Sequence, residues 1–176
     1  MLATSVYVEV FRVVHILGAI GWGGAVFMIV FFLQPTAKAI GPAAGPFMAE
    51  LLGKRRLVSV VLWIAAATIV AGGFLYWHDW QTVGSLGDFL GIRFGLALSL
   101  GAISALIAFF IGMLATKPAV DRLLSLGAQA AQAGGPPPPE LGQQIQDAQA
   151  HARTLAKVNF AFVAFAALAM STARYW

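Results

Sequence analysis

The 176-residue chain is 60% hydrophobic and only 10% charged, against about 25% charged residues in an average soluble domain; this excludes a globule covered by water, so lipid must cover much of the surface. The formal charge of +4 is carried by basic residues lying beside apolar runs, which excludes a nucleic-acid footprint and reads instead as a topology signal. Cysteine is absent, which excludes disulfides, thiolate metal sites and iron–sulfur clusters.

A helix needs roughly 20 apolar residues to cross the hydrocarbon core. Four stretches qualify, over about 8–33, 57–77, 94–115 and 158–173. The first stops at Gln34-Pro35, and the second at Tyr76, Trp77, His78, Asp79 and Trp80. The third is closed by Lys117-Pro118, and the fourth is flanked by Lys157 and by Arg174-Tyr175-Trp176. Ala37-Lys38-Ala39 resembles a signal-cleavage motif, but the preceding run is too long for a signal peptide and Glu9 stands where a basic region belongs. The expected fold is therefore all-α: a single transmembrane domain, a four-helix bundle over 1–176.

Between the first two spans, Pro35, Gly41, Pro42, Gly45 and Pro46 predict a broken stretch, followed by an amphipathic lead-in from Phe47 to Arg56. Between the last two, 123–133 and 140–157 are rich in helix formers, and Gly134-Gly135 with Pro136 to Pro139 breaks them apart. The third and fourth helices are expected to extend beyond the bilayer and join in a cytoplasmic helical hairpin over about 117–157.

Four crossings put both termini on one side. The other side carries Lys38, Lys54, Arg55, Arg56, Lys117, Arg122, Arg153 and Lys157, against Arg12, Arg93 and Arg174 on the termini side. Because basic residues favour the cytoplasm, both termini are expected outside, in the periplasm if the cell is Gram-negative, with the spans in the inner (plasma) membrane. Trp77, Trp80, Tyr175 and Trp176 then form an outer aromatic belt.

Ionisable groups within lipid are rare and expensive, so each is a candidate site. His15 lies roughly 10 Å below the outer end of the first span at 1.5 Å per residue. Arg12, His15, Ala19 and Trp22 share its helical face, with Gly18 at the edge. Haem iron takes His with His or Met as axial partners, and Met170 matches the depth of His15 from the fourth span. His78 sits at the interface and His151 on the hairpin. Arg12, Arg93 and Arg174, at outer span ends, suit porphyrin carboxylates; the competing reading is that they anchor helix ends. His15 has a competing reading too, as a hydrogen-bonding group across the bundle with the glycines permitting close contact. Ser59, Thr68, Ser99, Ser104 and Asn159 are expected mainly as interhelical hydrogen bonds. No P-loop, intramembrane carboxylate pair or dinucleotide fingerprint is visible, so any enzymatic chemistry would come from a redox cofactor.

The run Phe11-Arg12-Val13-Val14-His15-Ile16-Leu17-Gly18-Ala19, with Trp22 and Gly24 after it, resembles the opening of the CopD-like and HemJ-like membrane proteins. Lys54-Arg55-Arg56, Arg93, Asn159 and the Ala169-Met170…Ala173-Arg174-Tyr175 ending resemble further points of those families. The HemJ-type resemblance implies haem b and protoporphyrinogen oxidation; the CopD-type resemblance implies copper handling. The expected function is thus a small haem-binding membrane redox protein, with His15 and Met170 as axial ligands, Gly18 and Trp22 beside the ring, and Arg12, Arg93 or Arg174 on its carboxylates. Copper binding or transport, and a cofactor-free structural or assembly subunit, are the alternatives. Expected partners are the lipid bilayer, a quinone or another redox membrane protein, and a second copy of the chain.

Overall fold

The structure, a computed structural model, describes residues 2–133 and 135–175, with side chains from Val6 onward. Gly134 and Trp176 lie outside the described residues. In chain order the helices are α1 (Leu2–Met28), α2 (Gln34–Ile40), α3 (Gly45–Met48), α4 (Leu57–Val83), α5 (Leu86–Gly91), α6 (Arg93–Ile111), α7 (Lys117–Gln132) and α8 (Pro139–Thr172). Wider π-helical turns occupy Ile29–Leu33, Ala49–Lys54 and Gly112–Thr116; 3-10 turns occupy Gly41–Ala44 and Ala173–Tyr175. Four helical stretches, Val6–Lys54, Leu57–Val83, Arg93–Gln132 and Pro139–Tyr175, are long and apolar enough to cross a membrane. Large apolar side chains on their outward faces, such as Trp63 (78% exposed), Leu17 (64%) and Leu168 (62%), have no protein cover. A surface of that kind belongs in lipid, and the chain is a multi-pass membrane protein with an all-α four-helix bundle.

Two π turns have a common cause. Each ends two residues before a proline, Pro35 in one case and Pro118 in the other. A proline inside a helix offers no N–H and crowds the carbonyl four residues back. Widening the preceding turn relieves that crowding, so both helices run on through their prolines. The stretch read from the sequence as broken is therefore helical almost throughout. Its main interruption is Gly41, at φ 68°, a conformation that glycine adopts without steric cost. The second span likewise runs past its aromatic cluster to Val83 and ends at Gly84, φ 117°. Its expected end at residue 77 marks a polarity boundary, whereas the backbone stops where glycine lets it turn.

The bundle is two helical pairs side by side, α1 with α4 and α6 with α8, which also meet through α1–α8 and α4–α6. Since lipid is as apolar as the side chains, close contact and interhelical hydrogen bonds hold such bundles together. Three seams carry such bonds. Between α1 and α4, His15 Nδ1 donates to the Thr68 carbonyl at 2.8 Å. Between α4 and α6, the Ser99 hydroxyl donates to Gly95 O at 2.6 Å, so Tyr76 OH must be the donor in its 2.8 Å bond to Ser99 Oγ. Between α6 and α8, Ser104 Oγ donates to Phe162 O at 2.8 Å and Asn159 Nδ2 to Ala108 O at 2.6 Å. The α1–α8 seam is closed by apolar contact on its hairpin side, where Phe27 and Phe31 meet the Phe160 ring. Ser99, Ser104 and Asn159 thus make the interhelical bonds expected of them; Thr68 turns its hydroxyl to Ile64 O of its own helix.

At the termini side, α5 folds over the bundle end. Ser85 caps it by accepting from the Asp88 N–H at 3.1 Å, and Phe89 is fully buried between Tyr76 and Phe94. At the opposite side, α7 packs its Val120–Leu126 face on the extension of α8, which forms the expected helical hairpin. The core cluster, Trp22, Val26, Val30, Val61, Ala65, Ala108 and Ala156, fills the hairpin-side half of the bundle. On the termini side the interior is lined by small residues: Ala71, Ala97, Gly101, Ala169 and Ala173.

Candidate functional site

His15 is placed by its helix. It lies seven residues, close to two turns, before the buried Trp22, so its side chain points into the bundle just outside the core cluster. The imidazole is half-buried and rests on Gly72 of α4. A Cβ built on Gly72 would lie 2.7 Å from His15 Cε1 and 2.8 Å from Nδ1, so only glycine leaves the ring its seat. The bond to Thr68 O fixes the tautomer, because a carbonyl only accepts: the Nδ1 proton is engaged, and Nε2 carries the lone pair. Nε2 makes no hydrogen bond among the described residues.

Gly18, expected to leave room for a ligand, has another use. Its missing Cβ is the space taken by the Thr68 hydroxyl, which brings α1 and α4 together. Trp22, expected at the edge of a ligand, belongs to the core cluster and is 6% exposed.

Met170 lies on the inward stripe of α8 with Ala166 and Val163, and Val163 reaches Gly23 of α1. The Met170 side chain rests on Gly101 of α6, where a built Cβ would lie 2.7 Å from Cγ and 3.3 Å from Cε. His15 and Met170 thus project inward from neighbouring helices, on the termini side of the core, and each is seated on a glycine of another span. Arg12, Arg93 and Arg174 are exposed and make no ion pair among the described residues. Arg12 is one turn outward from His15, and Arg93 opens α6.

The remaining histidines stand apart. His78 sits one residue from Asp79, with Nδ1 3.6 Å from its carboxylate, too far for a hydrogen bond. His151 is exposed on the hairpin. Of the expected belt, Trp77 and Tyr175 are exposed at 48% and 82%, and Trp80 is half-buried. Among the described residues no group of three or more His, Asp or Glu comes together as a metal site. Two clefts lie elsewhere: one of about 330 Å³ between Phe32 and Phe47, and one of about 50 Å³ on the hairpin side of Trp22.

Reading the sequence missed the groups that hold His15. Thr68 contributes a backbone carbonyl, which no residue type announces. Gly72 had a signal, the Ala71-Gly72-Gly73 run inside a span, where glycine marks close approach. No family model, curated protein or solved structure matches the chain.

Proposed function

We propose that this chain is a small haem-binding redox protein of a bacterial inner membrane, with His15 Nε2 as an axial ligand and the helical hairpin in the cytoplasm. The observation that carries the reading is the His15 Nδ1–Thr68 O bond at 2.8 Å. A metal-ligating imidazole almost always gives its other N–H to a carbonyl, carboxylate or water, which fixes the ring and raises the basicity of the ligating nitrogen. A porphyrin brings its own equatorial donors and asks the protein only for one or two more, which a histidine and a methionine on neighbouring spans can offer.

The other residues have matching roles in this reading. Met170 is the second axial donor, since thioether sulfur suits haem iron and its stripe neighbours that of His15 across the α1–α8 seam. Arg12, Arg93 and Arg174 hold the carboxylates at the bundle end, where charge is least costly to solvate. The termini-side part of the α1–α8 seam, which carries no interhelical hydrogen bond among the described residues, is the path by which a flat apolar ligand enters from the bilayer. Bound haem supplies reversible one-electron transfer; the protein's part is to bind it, orient it and keep water from it, with a quinone or another membrane redox protein as electron partner.

Three variants test the assignment. His15→Ala abolishes haem binding. Met170→Ala keeps haem with a lowered potential, because axial methionine raises it. His78→Ala binds as the wild type does. Full haem content in His15→Ala would overturn the assignment, and copper retention lost in His15→Ala without any haem would put the copper reading in its place.

A further inference from the structure

We infer that the tip of the helical hairpin is a docking peptide, in which Pro136, Pro137 and Pro138 present a polyproline II segment to a soluble protein whose groove is lined by aromatic rings and flanked by a lysine or arginine. Four consecutive prolines, 136–139, stand between α7 and α8. A proline ring fixes its own φ at about −65° and drives the residue before it to an extended ψ. Pro136, Pro137 and Pro138 carry both restrictions, each being a proline that precedes another. Pro138 shows the result, with φ −51° and ψ 146°, in the polyproline II region. These three lie outside the helices, whereas Pro139 opens α8, at a first-turn position that tolerates proline.

Reversing the chain does not require this segment. The N–H of Ala133 closes the end of α7 by donating to Ala130 O at 3.3 Å, and the glycine pair that follows in the sequence is enough to let a chain turn. The three prolines add a stiff rod with a chemistry of its own. Gly135, the prolines and Glu140 are all exposed. Pro138 O accepts from the Gly142 N–H at 3.0 Å, while the carbonyls of Pro136 and Pro137 accept nothing among the described residues. With no N–H to donate, the rod cannot pair with a sheet edge. It offers ring faces and free carbonyls, which aromatic-lined grooves take from polyproline II ligands, and its fixed backbone has little entropy to lose on binding. Glu140, next in sequence, makes no ion pair among the described residues, so the complementary groove carries a cation at that end.

The charge of the hairpin separates a protein partner from the bilayer. Between Arg122 and Arg153, the stretch 123–152 holds no lysine or arginine and carries two carboxylates, Glu140 and Asp147. Helices that lie on membranes are rich in Lys and Arg on their polar face, and an anionic leaflet attracts cations, not carboxylates. α8 carries the tip roughly 27 Å beyond Lys157, at 1.5 Å per residue, and α7 braces it through Val120 and Leu126. The prolines are thus held clear of lipid on a two-helix stalk. The inference is independent of any cofactor at His15.

Site-specific photocrosslinking of the full chain in its native host cells tests it, with benzoylphenylalanine placed at the exposed Gln132. One discrete protein adduct should form, and mass spectrometry should place the linkage beside Trp or Tyr in the partner, with a Lys or Arg adjoining. Pro136→Ser, Pro137→Ser and Pro138→Ser combined should lower its yield several-fold, as should Glu140→Lys, which keeps every proline. If the triple variant loses helical content, Glu140→Lys and Pro137→Ser alone decide the matter. No protein adduct, adducts to phospholipid only, a linkage remote from any aromatic residue, or an adduct unchanged in these variants would overturn the inference.

Discussion

Adding one methyl group at Gly72 should unseat His15. The Cβ of Gly72→Ala would lie 2.7 Å from Cε1 and 2.8 Å from Nδ1 of the imidazole, where non-bonded heavy atoms settle at about 3.5–4.0 Å. The ring must therefore retreat by about 1 Å, which stretches its 2.8 Å bond to Thr68 O past the roughly 3.6 Å at which a hydrogen bond ceases to count. Loss of an interhelical bond in a membrane costs about 0.6 kcal/mol on average and up to about 1.7, and an overpacked contact adds about 1–3 kcal/mol. Against this stands the gain of replacing glycine by alanine in a helix, about 0.8–1 kcal/mol. Gly73→Ala provides the control, since it earns the same helix gain and a Cβ there meets nothing within 4 Å. Gly72→Ala should thus be roughly 2–4 kcal/mol less stable than Gly73→Ala. Unfolding in mixed micelles, followed by far-ultraviolet circular dichroism, gives the difference, and the Nδ1 proton resonance of ¹⁵N-labelled His15 reports the bond. Equal stability of the two variants with that resonance unmoved would refute the reasoning.

Two further outcomes rest on side-chain contacts and a third on the distribution of basic residues. Gly101→Ala should displace Met170 and press on Ala166 O, 3.2 Å from the built Cβ, lowering stability by about 1–3 kcal/mol in the same unfolding assay. Tyr76→Phe and Ser99→Ala should show a coupling near 0.6 kcal/mol, and at most about 1.7, in a double-mutant cycle, because Tyr76 donates to Ser99. Cysteines placed singly at Gly135 and Gln81 should differ towards a membrane-impermeant thiol reagent on intact cells: labelling at Gln81 and none at Gly135 is the expected orientation.

The spans and the hairpin were legible because hydrophobic run length and helix-forming composition are properties of residue types. So in part was the inward face of α1, which the seven-residue step from His15 to Trp22 marks; Arg12 and Ala19, placed on it from the sequence, are exposed, and Phe11 and Gly18 turn inward instead. The π turns were not, since a shift of hydrogen-bond partner by one residue leaves no trace in composition; the only sign of two of them is a proline two residues beyond, and Ala49–Lys54 lacks even that. The stretch after the first span misled for the same reason, as the π turn before Pro35 lets the helix run on through it, and Pro46 sits in a first-turn position that tolerates proline. At the site, His15 and its depth were readable, but the partners that seat it come from α4, and one of them is a carbonyl. Gly18 looked like ligand space because its neighbours along the chain are small; what fills that space is Thr68, fifty residues away.

The central claim is that the free Nε2 of His15 binds haem iron, and the visible absorption spectrum of the wild-type protein, purified after expression with ample haem, tests it most directly. The wild-type protein should show a Soret band at about one haem per chain, absent from His15→Ala prepared in parallel. A folded wild-type protein without a Soret band, or a band of equal strength in His15→Ala, would contradict it.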